Sequence, residues 1–156
     1  MLKEKTTKTS TAHNIVTQSL GELYSGPGGL GLGAAMASVK HKGVRWLTAP
    51  SWTNDYCGDT CKTWEKNVLG YERKIKGFKG NVDIHVGDVR KLDIASLAPI
   101  DGLMFGFPCN DFSNVGEKKG LSGTFGPLYS YGVEVLRKAT QPSWFIAENV
   151  SGISSS

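Results

Sequence analysis

The chain is poor in the residues that build metal sites and disulfide frameworks, with three cysteines and three histidines among 156 residues. Cys57, Cys61 and Cys109 are odd in number and lack metal-ligand spacing, and His13, His41 and His85 are scattered. Neither a disulfide scaffold nor a zinc centre is signalled, so no metal is expected and a reducing cytosol fits best. No apolar run approaches the roughly 20 residues of a membrane span. The N-terminus carries Lys3, Lys5 and Lys8 without the hydrophobic segment of a signal peptide, so a soluble protein of the cytoplasm is expected. Internal repeats and a clear linker are missing too. The charge surplus is small, 18 basic against 14 acidic residues for a net +4, and permits a polyanionic partner without requiring one.

What is present is enough apolar residue, 39%, to fill the core of one domain. Residues 1–18 are polar, rich in Lys and Thr and without period, and read as a flexible basic arm. From Leu20 short apolar runs alternate with segments of helical period, the pattern of βα units around a mostly parallel sheet with helices on both faces. Strands are expected at Leu20 to Ser25, Val44 to Ala49, Val82 to Val86, Gly102 to Phe107 and Ser143 to Ala147. A helix should follow the glycine turn and run through Ala34, Ala35, Met36 and Val39 to Gly43, with an irregular Pro50 to Asn54 segment after the second strand. Asp59 is placed to cap a short helix whose Cys61, Trp64 and Val68 share one face, which makes Cys61 a core residue. A further helix is expected from about Tyr131 to Lys138. The glycine-studded stretch from Asn114 to Pro127 is long enough to be a functional loop.

The residues that could carry chemistry stand where these strands end. Gly26, Gly28 and Gly31 fit G-x-G-x-x-G between a strand and a helix, a context that lets backbone approach a nucleotide-like ligand. A dinucleotide site would need an acid about 20 residues on, and residues 45–51 contain none. The first acid is Asp55, followed by Tyr56, a pair suited to a ribose diol and an adenine ring. Asp88 ends the third strand, where turn chemistry explains it equally well. Cys109 ends the fourth, either as a nucleophile or as a small buried hydrophobe. Glu148 ends the fifth. In an open α/β sheet these positions share one rim.

Leu23-Tyr24-Ser25-Gly26-Pro27-Gly28-Gly29, then Gly106-Phe107-Pro108-Cys109-Asn110-Asp111-Phe112-Ser113, then Glu148-Asn149-Val150, in this order and at these separations, resemble the DNA (cytosine-5) methyltransferases from about Leu20 to the last residue. The resemblance implies a Rossmann-like S-adenosylmethionine-dependent methyltransferase fold and a restriction-modification enzyme acting on double-stranded DNA. It implies S-adenosyl-L-methionine held by Tyr24, Ser25, Gly26, Pro27, Gly28 and Gly29, with Asp55 on the ribose, Tyr56 on the adenine, Asp88 and Val89 at the adenine edge, and Phe107, Pro108 and Leu128 as further contacts. Cys109 is the implied nucleophile at C6 of a flipped-out cytosine and Glu148 the acid near N3, with Ser113, Lys118 and Lys119 as DNA contacts.

The sequence departs from the family pattern at Asn110, where glutamine is usual, at Phe125 in place of an arginine, and in a segment from Pro50 to Asn54 about two residues longer than usual. It also stops after Glu-Asn-Val, where the family continues with a basic element, a DNA-reading domain and a segment that completes the cofactor pocket. The expectation is therefore a partial catalytic domain over residues 19–156, incomplete at the C-terminus and inactive alone. It reads as an N-terminal fragment, with one half of a split enzyme, served by a complementing C-terminal chain, as the alternative. A transfer-RNA substrate, a nucleotide-binding oxidoreductase and a non-catalytic cofactor-binding remnant are the competing readings.

Overall fold

A computed structural model describes residues 14–109, 126–138 and 142–151. Six strands form one sheet, β1 (Asn14–Leu23), β2 (Val39–His41), β3 (Val44–Asp55), β4 (Asp83–Val86), β5 (Gly102–Gly106) and β6 (Trp144–Glu148). Their order is β2-β3-β1-β5-β6, with β4 paired to the carboxyl-terminal half of β3; every pairing is parallel except β2 with β3. The helices are α1 (Gly29–Met36), α2 (Gly58–Trp64), α3 (Gly70–Ile75) and α4 (Tyr129–Leu136), and a π-helical turn at Glu65–Leu69 joins α2 to α3.

The chain leaves β1 towards β3 on one side and later returns to β5 on the other. The carboxyl end of β1 is therefore a topological switch point, where an open α/β sheet leaves a crevice for a ligand. Two cores cover the two faces. Leu23, Trp52, Val89, Ile94, Leu97, Leu103, Phe105 and Val135 pack on the α4 side, whereas Ala35, Trp64, Val68 and Leu69 pack beneath α1, α2 and α3. The α/β class with helices on both faces thus agrees with the reading of the sequence, and Cys61 is a core residue, 2% exposed.

Four local expectations are corrected. β1 begins at Asn14, so residues 14–18, read as the end of the arm, pair with Val44 to Thr48. The Pro50 to Asn54 segment is strand: β3 continues to Asp55 and absorbs one extra residue where the register shifts between Leu20 and Gly21. Such a bulge lets a proline-containing strand keep its pairing on both sides. Val39 lies outside α1, which ends at Met36, and starts a hairpin turned by Lys42 and Gly43, both at positive φ. Asp59 sits in the first turn of α2 without capping it, since Cys57 is the N-cap and the carboxylate that accepts from Cys57 N belongs to Asp55.

Candidate cofactor and catalytic site

The turn after β1 is held in a conformation that few residues tolerate. Tyr24, Gly26 and Gly28 have φ of 57°, 52° and 98°. Gly28 has no room for a side chain either, because a Cβ would stand 2.6 Å from Val68 Cγ2. Gly28 N donates to Ser25 O at 3.0 Å, closing the turn ahead of α1. At Gly26 and Gly29 no atom of the described residues lies within 4 Å of where a Cβ would be, so the turn presents bare backbone.

Asp55 locks this turn to the end of β3. Its Oδ2 accepts from Gly26 N at 2.8 Å, and its Oδ1 accepts from Cys57 N at 2.9 Å and from Thr60 Oγ1 at 2.8 Å. A carboxylate oxygen has two lone pairs, so Oδ1 is filled and Oδ2 keeps one acceptor position. Asn54, which is buried, donates through Nδ2 to His85 O and Gly87 O and ties the ends of β3 and β4 together.

Tyr24, Tyr56, Asp88, Val89, Pro108 and Leu128 converge on one cleft of about 380 Å3, with Asn54, Gly87 and Arg90 completing its walls. That volume is in the range of small-molecule sites. Tyr24 donates to Leu128 O at 2.6 Å, joining two of its walls, and burial pushes its phenol well above the usual tyrosine range. Asp88 is bound by its neighbour: Arg90 Nε donates to both carboxylate oxygens, Nη2 donates at 2.6 Å and Arg90 N at 3.0 Å. These bonds hold the Asp88 carboxyl at about 2.

Phe107 does not line the cleft. It is 6% exposed in the core behind it, its ring 6.2 Å from that of Tyr129. Cys109 follows Pro108 and is half-buried, unlike the core thiol Cys61. Glu148 is paired with Gly106 across β5 and β6 and is exposed among the described residues. Asn149 joins these two strand ends, donating from Nδ2 to Phe107 O at 2.9 Å. Ser113, Lys118 and Lys119 lie outside the described residues.

The sequence reading missed Asn54, Gly87 and Arg90 as cleft walls, although each adjoins a residue that was named. It also missed Glu22, whose signal was an acid inside an apolar strand. Glu22 is 3% exposed beneath the glycine turn, where Oε1 accepts from Gly31 N at 3.1 Å and Oε2 from Trp64 Nε1 at 2.7 Å. Desolvation raises its carboxyl to about 7 against those two bonds.

The glycine turn, the strand-end carboxylates and the Pro-Cys segment meet in a sequence that matches the model of the C-5 cytosine-specific DNA methylases over residues 19–156. The chain belongs to that family. Among curated relatives, the type II methyltransferase M.BbvI of Brevibacillus brevis is 45% identical over 86% of the chain and 35% of its own length. M.NgoFVII of Neisseria gonorrhoeae is 31% identical over 84% of the chain and 30% of its own length. The chain thus spans about a third of these relatives. Among solved structures, a protein encoded in an E. coli prophage and assigned as a DNA modification methyltransferase superposes with a TM-score of 0.56 at 27% identity, covering 86% of this chain and 32% of that one. DNMT2 of Spodoptera frugiperda shares the fold, with a TM-score of 0.52 at 17% identity over 88% of this chain and 37% of its own. The fold is the Rossmann-like one of S-adenosylmethionine-dependent methyltransferases, and the oxidoreductase reading falls. No described helix is long and apolar enough to cross a membrane, and no group of three metal-ligating side chains occurs among the described residues.

Proposed function

We propose that this chain is the cofactor-binding, nucleophile-bearing part of an enzyme that methylates C5 of cytosine in double-stranded DNA, as in type II restriction-modification systems. The observation that carries the reading is the cleft itself. Six residues, from Tyr24 to Leu128 in the chain, line it together, and Cys109 follows the one of them, Pro108, that stands at the end of β5.

The side chains suit S-adenosyl-L-methionine. The bare turn at Gly26 and Gly29 leaves room for its amino-acid part, and Ser25 Oγ is buried there without a hydrogen-bond partner among the described residues. Tyr24, Tyr56, Val89, Pro108 and Leu128 offer apolar and aromatic surface to a purine. The free acceptor position on Asp55 accommodates one ribose hydroxyl. The carboxylate of Asp88 can take the adenine amino group once Arg90 yields one of its bonds. When bound, the cofactor supplies an electrophilic methyl group.

Cytosine C5 is a poor nucleophile. The Cys109 thiolate adds to C6, the ring electron pair moves towards N3, and C5 becomes an enamine carbon able to take a methyl group. Glu148, in its protonated form, gives N3 a proton and stabilises the charge that addition creates. Its exposure among the described residues means that the flipped base and whatever covers the site must supply the burial this requires. Loss of the C5 proton to a base then expels the thiolate, the N3 proton returns to Glu148, and both Cys109 and the acid are regenerated. Asn149 fixes the two strand ends that carry the acid and the thiol.

Calorimetric titration with S-adenosyl-L-methionine, of the chain alone and after mixing with a complementing C-terminal chain, tests the cleft, and absence of saturable binding in both refutes it. Mixed with a chain supplying the C-terminal two-thirds of a family member, the protein should form a covalent adduct on duplex DNA containing 5-fluorocytosine. Cys109→Ser should abolish that adduct. Retained trapping would overturn the nucleophile assignment, and binding of cofactor without any transfer on complementation would favour a non-catalytic remnant.

A further inference from the structure

The β2-β3 hairpin stands at the amino-terminal end of β3, eleven residue steps and roughly 35 Å from Asp55 at the cleft rim. It carries Lys40, His41, Lys42 and Arg45, and no acidic residue occurs between Met36 and Asn54 or between Asn14 and Leu20. Lys40 and Arg45 are directly opposite each other in the antiparallel register, so both side chains leave the same face. Like charges in that relation destabilise a strand pair. Neither cation meets a carboxylate among the described residues. Arg45 Nε instead donates to Ser38 Oγ at 3.0 Å, which orients the guanidinium and leaves its two terminal nitrogens without a partner among the described residues.

Ser38, Lys40, Gly43 and Arg45 line a depression of about 240 Å3. It therefore combines a pinned guanidinium, an opposed ammonium with free donors, and a turn backbone with no side chain at Gly43. Forked N–H donors and a point cation around one concavity match a tetrahedral oxyanion. An anion seated there would relieve the Lys40–Arg45 repulsion that the fold leaves uncompensated.

We propose that this hairpin is a second anion site, distinct from the cofactor cleft, that binds phosphate groups of a nucleic-acid backbone. Choosing nucleic acid among phosphate-bearing polyanions rests on the family membership established above. Lys40 and Arg45 bracket one phosphate, and Lys42 at the turn reaches its neighbour along the strand. The contact is independent of base sequence and anchors a stretch of duplex away from the target cytosine.

The test uses the full chain without cofactor and a fluorescein-labelled duplex of about 20 A·T pairs, which contains no cytosine, with anisotropy read across a salt series. Lys40→Gln/Arg45→Gln should bind roughly tenfold or more weakly near 0.1 M salt, and the log–log salt slope should fall in magnitude by about 1.8. Lys40→Glu places a carboxylate opposite Arg45. It should abolish this contribution while raising the melting temperature, an outcome that misfolding cannot imitate. Lys74→Gln/Lys79→Gln removes the same charge elsewhere and should leave binding within about twofold. Equal loss in that control, or an unchanged slope in the hairpin variants, overturns the proposal. So does saturable binding of inorganic phosphate without affinity for duplex, or hairpin-dependent binding to phosphatidylglycerol vesicles in place of duplex. Failure of the cofactor titration would refute the methyltransferase reading of the cleft and leave the duplex result standing.

Discussion

Raising the pH from 5 to 8 should destabilise this protein through one carboxyl, that of Glu22. The group is 3% exposed and its folded value is about 7 against an ordinary 4.5. Desolvation is the largest cause; the bonds from Trp64 Nε1 and Gly31 N oppose it, and the charge of Asp55 adds to it. The folded state keeps a proton that the unfolded state gives up between these two values. The stabilisation is complete below 4.5 and is lost as pH rises through 7. Each tenfold difference in proton affinity between the two states is worth about 1.4 kcal/mol, so the change between pH 5 and pH 8 comes to about 2 to 3 kcal/mol. Glu22→Gln cannot titrate. Its amide also sets a donor against Trp64 Nε1 or Gly31 N, at a pH-independent cost of about 1–3 kcal/mol. Urea denaturation of both proteins at pH 5, 6, 7 and 8 isolates the linkage, because other titrating groups cancel in the difference. The advantage of the parent over Glu22→Gln should shrink steadily as pH rises. A difference that stays flat to within about 0.5 kcal/mol would refute the argument that Glu22 is held protonated.

Gly28→Ala should cost about 2 kcal/mol or more in urea midpoint analysis, since it combines a φ of 98° with a Cβ 2.6 Å from Val68. Gly33→Ala, in the exposed interior of α1 with nothing described within 4 Å and no positive φ, is the matched contrast and should stabilise by about 0.5–1 kcal/mol. Tyr24→Phe deletes the bond to Leu128 O that joins two cleft walls, so S-adenosyl-L-methionine should bind about three- to tenfold more weakly by calorimetry with little loss of global stability. Asn149→Ala releases Phe107 O and should slow covalent trapping in the complemented enzyme more than it weakens cofactor affinity, because the tie it removes joins the nucleophile strand to the acid strand. Equal effects on both would show that it acts on the cleft as a whole.

The core of the site was legible because it rests on local rules. A strand, a glycine turn and a helix in succession need only backbone sterics, and acids and a cysteine at strand ends are exposed to one rim by any parallel sheet. Those rules placed Tyr24, Tyr56 and Asp88 at the rim, whereas Val89, Pro108 and Leu128 were implied by the family resemblance; all six line one cleft. The hairpin at Lys42-Gly43 and the strand character of Pro50 to Asn54 were not legible. The Pro50 to Asn54 strand depends on pairing with β1, remote in sequence, and the hairpin on pairing of β2 with β3, the strand that β1 holds in the sheet; these pairings overrode the local helix and turn signals. Phe107, implied as a cofactor contact by the family resemblance, lies just past β5 with its ring in the core beside that of Phe105.

By itself, then, the sequence determined the alternation of strands and helices, the glycine turn after the first strand, and the chemical types available at the rim, all of which follow from neighbours in the chain. Only the tertiary structure decided what those groups do to one another. It filled one oxygen of Asp55 with Cys57 and Thr60, bound Asp88 to Arg90, and buried Glu22 between Gly31 and Trp64. Lone pairs, burial and local field depend on residues brought together across the fold, and linear spacing carries no record of them.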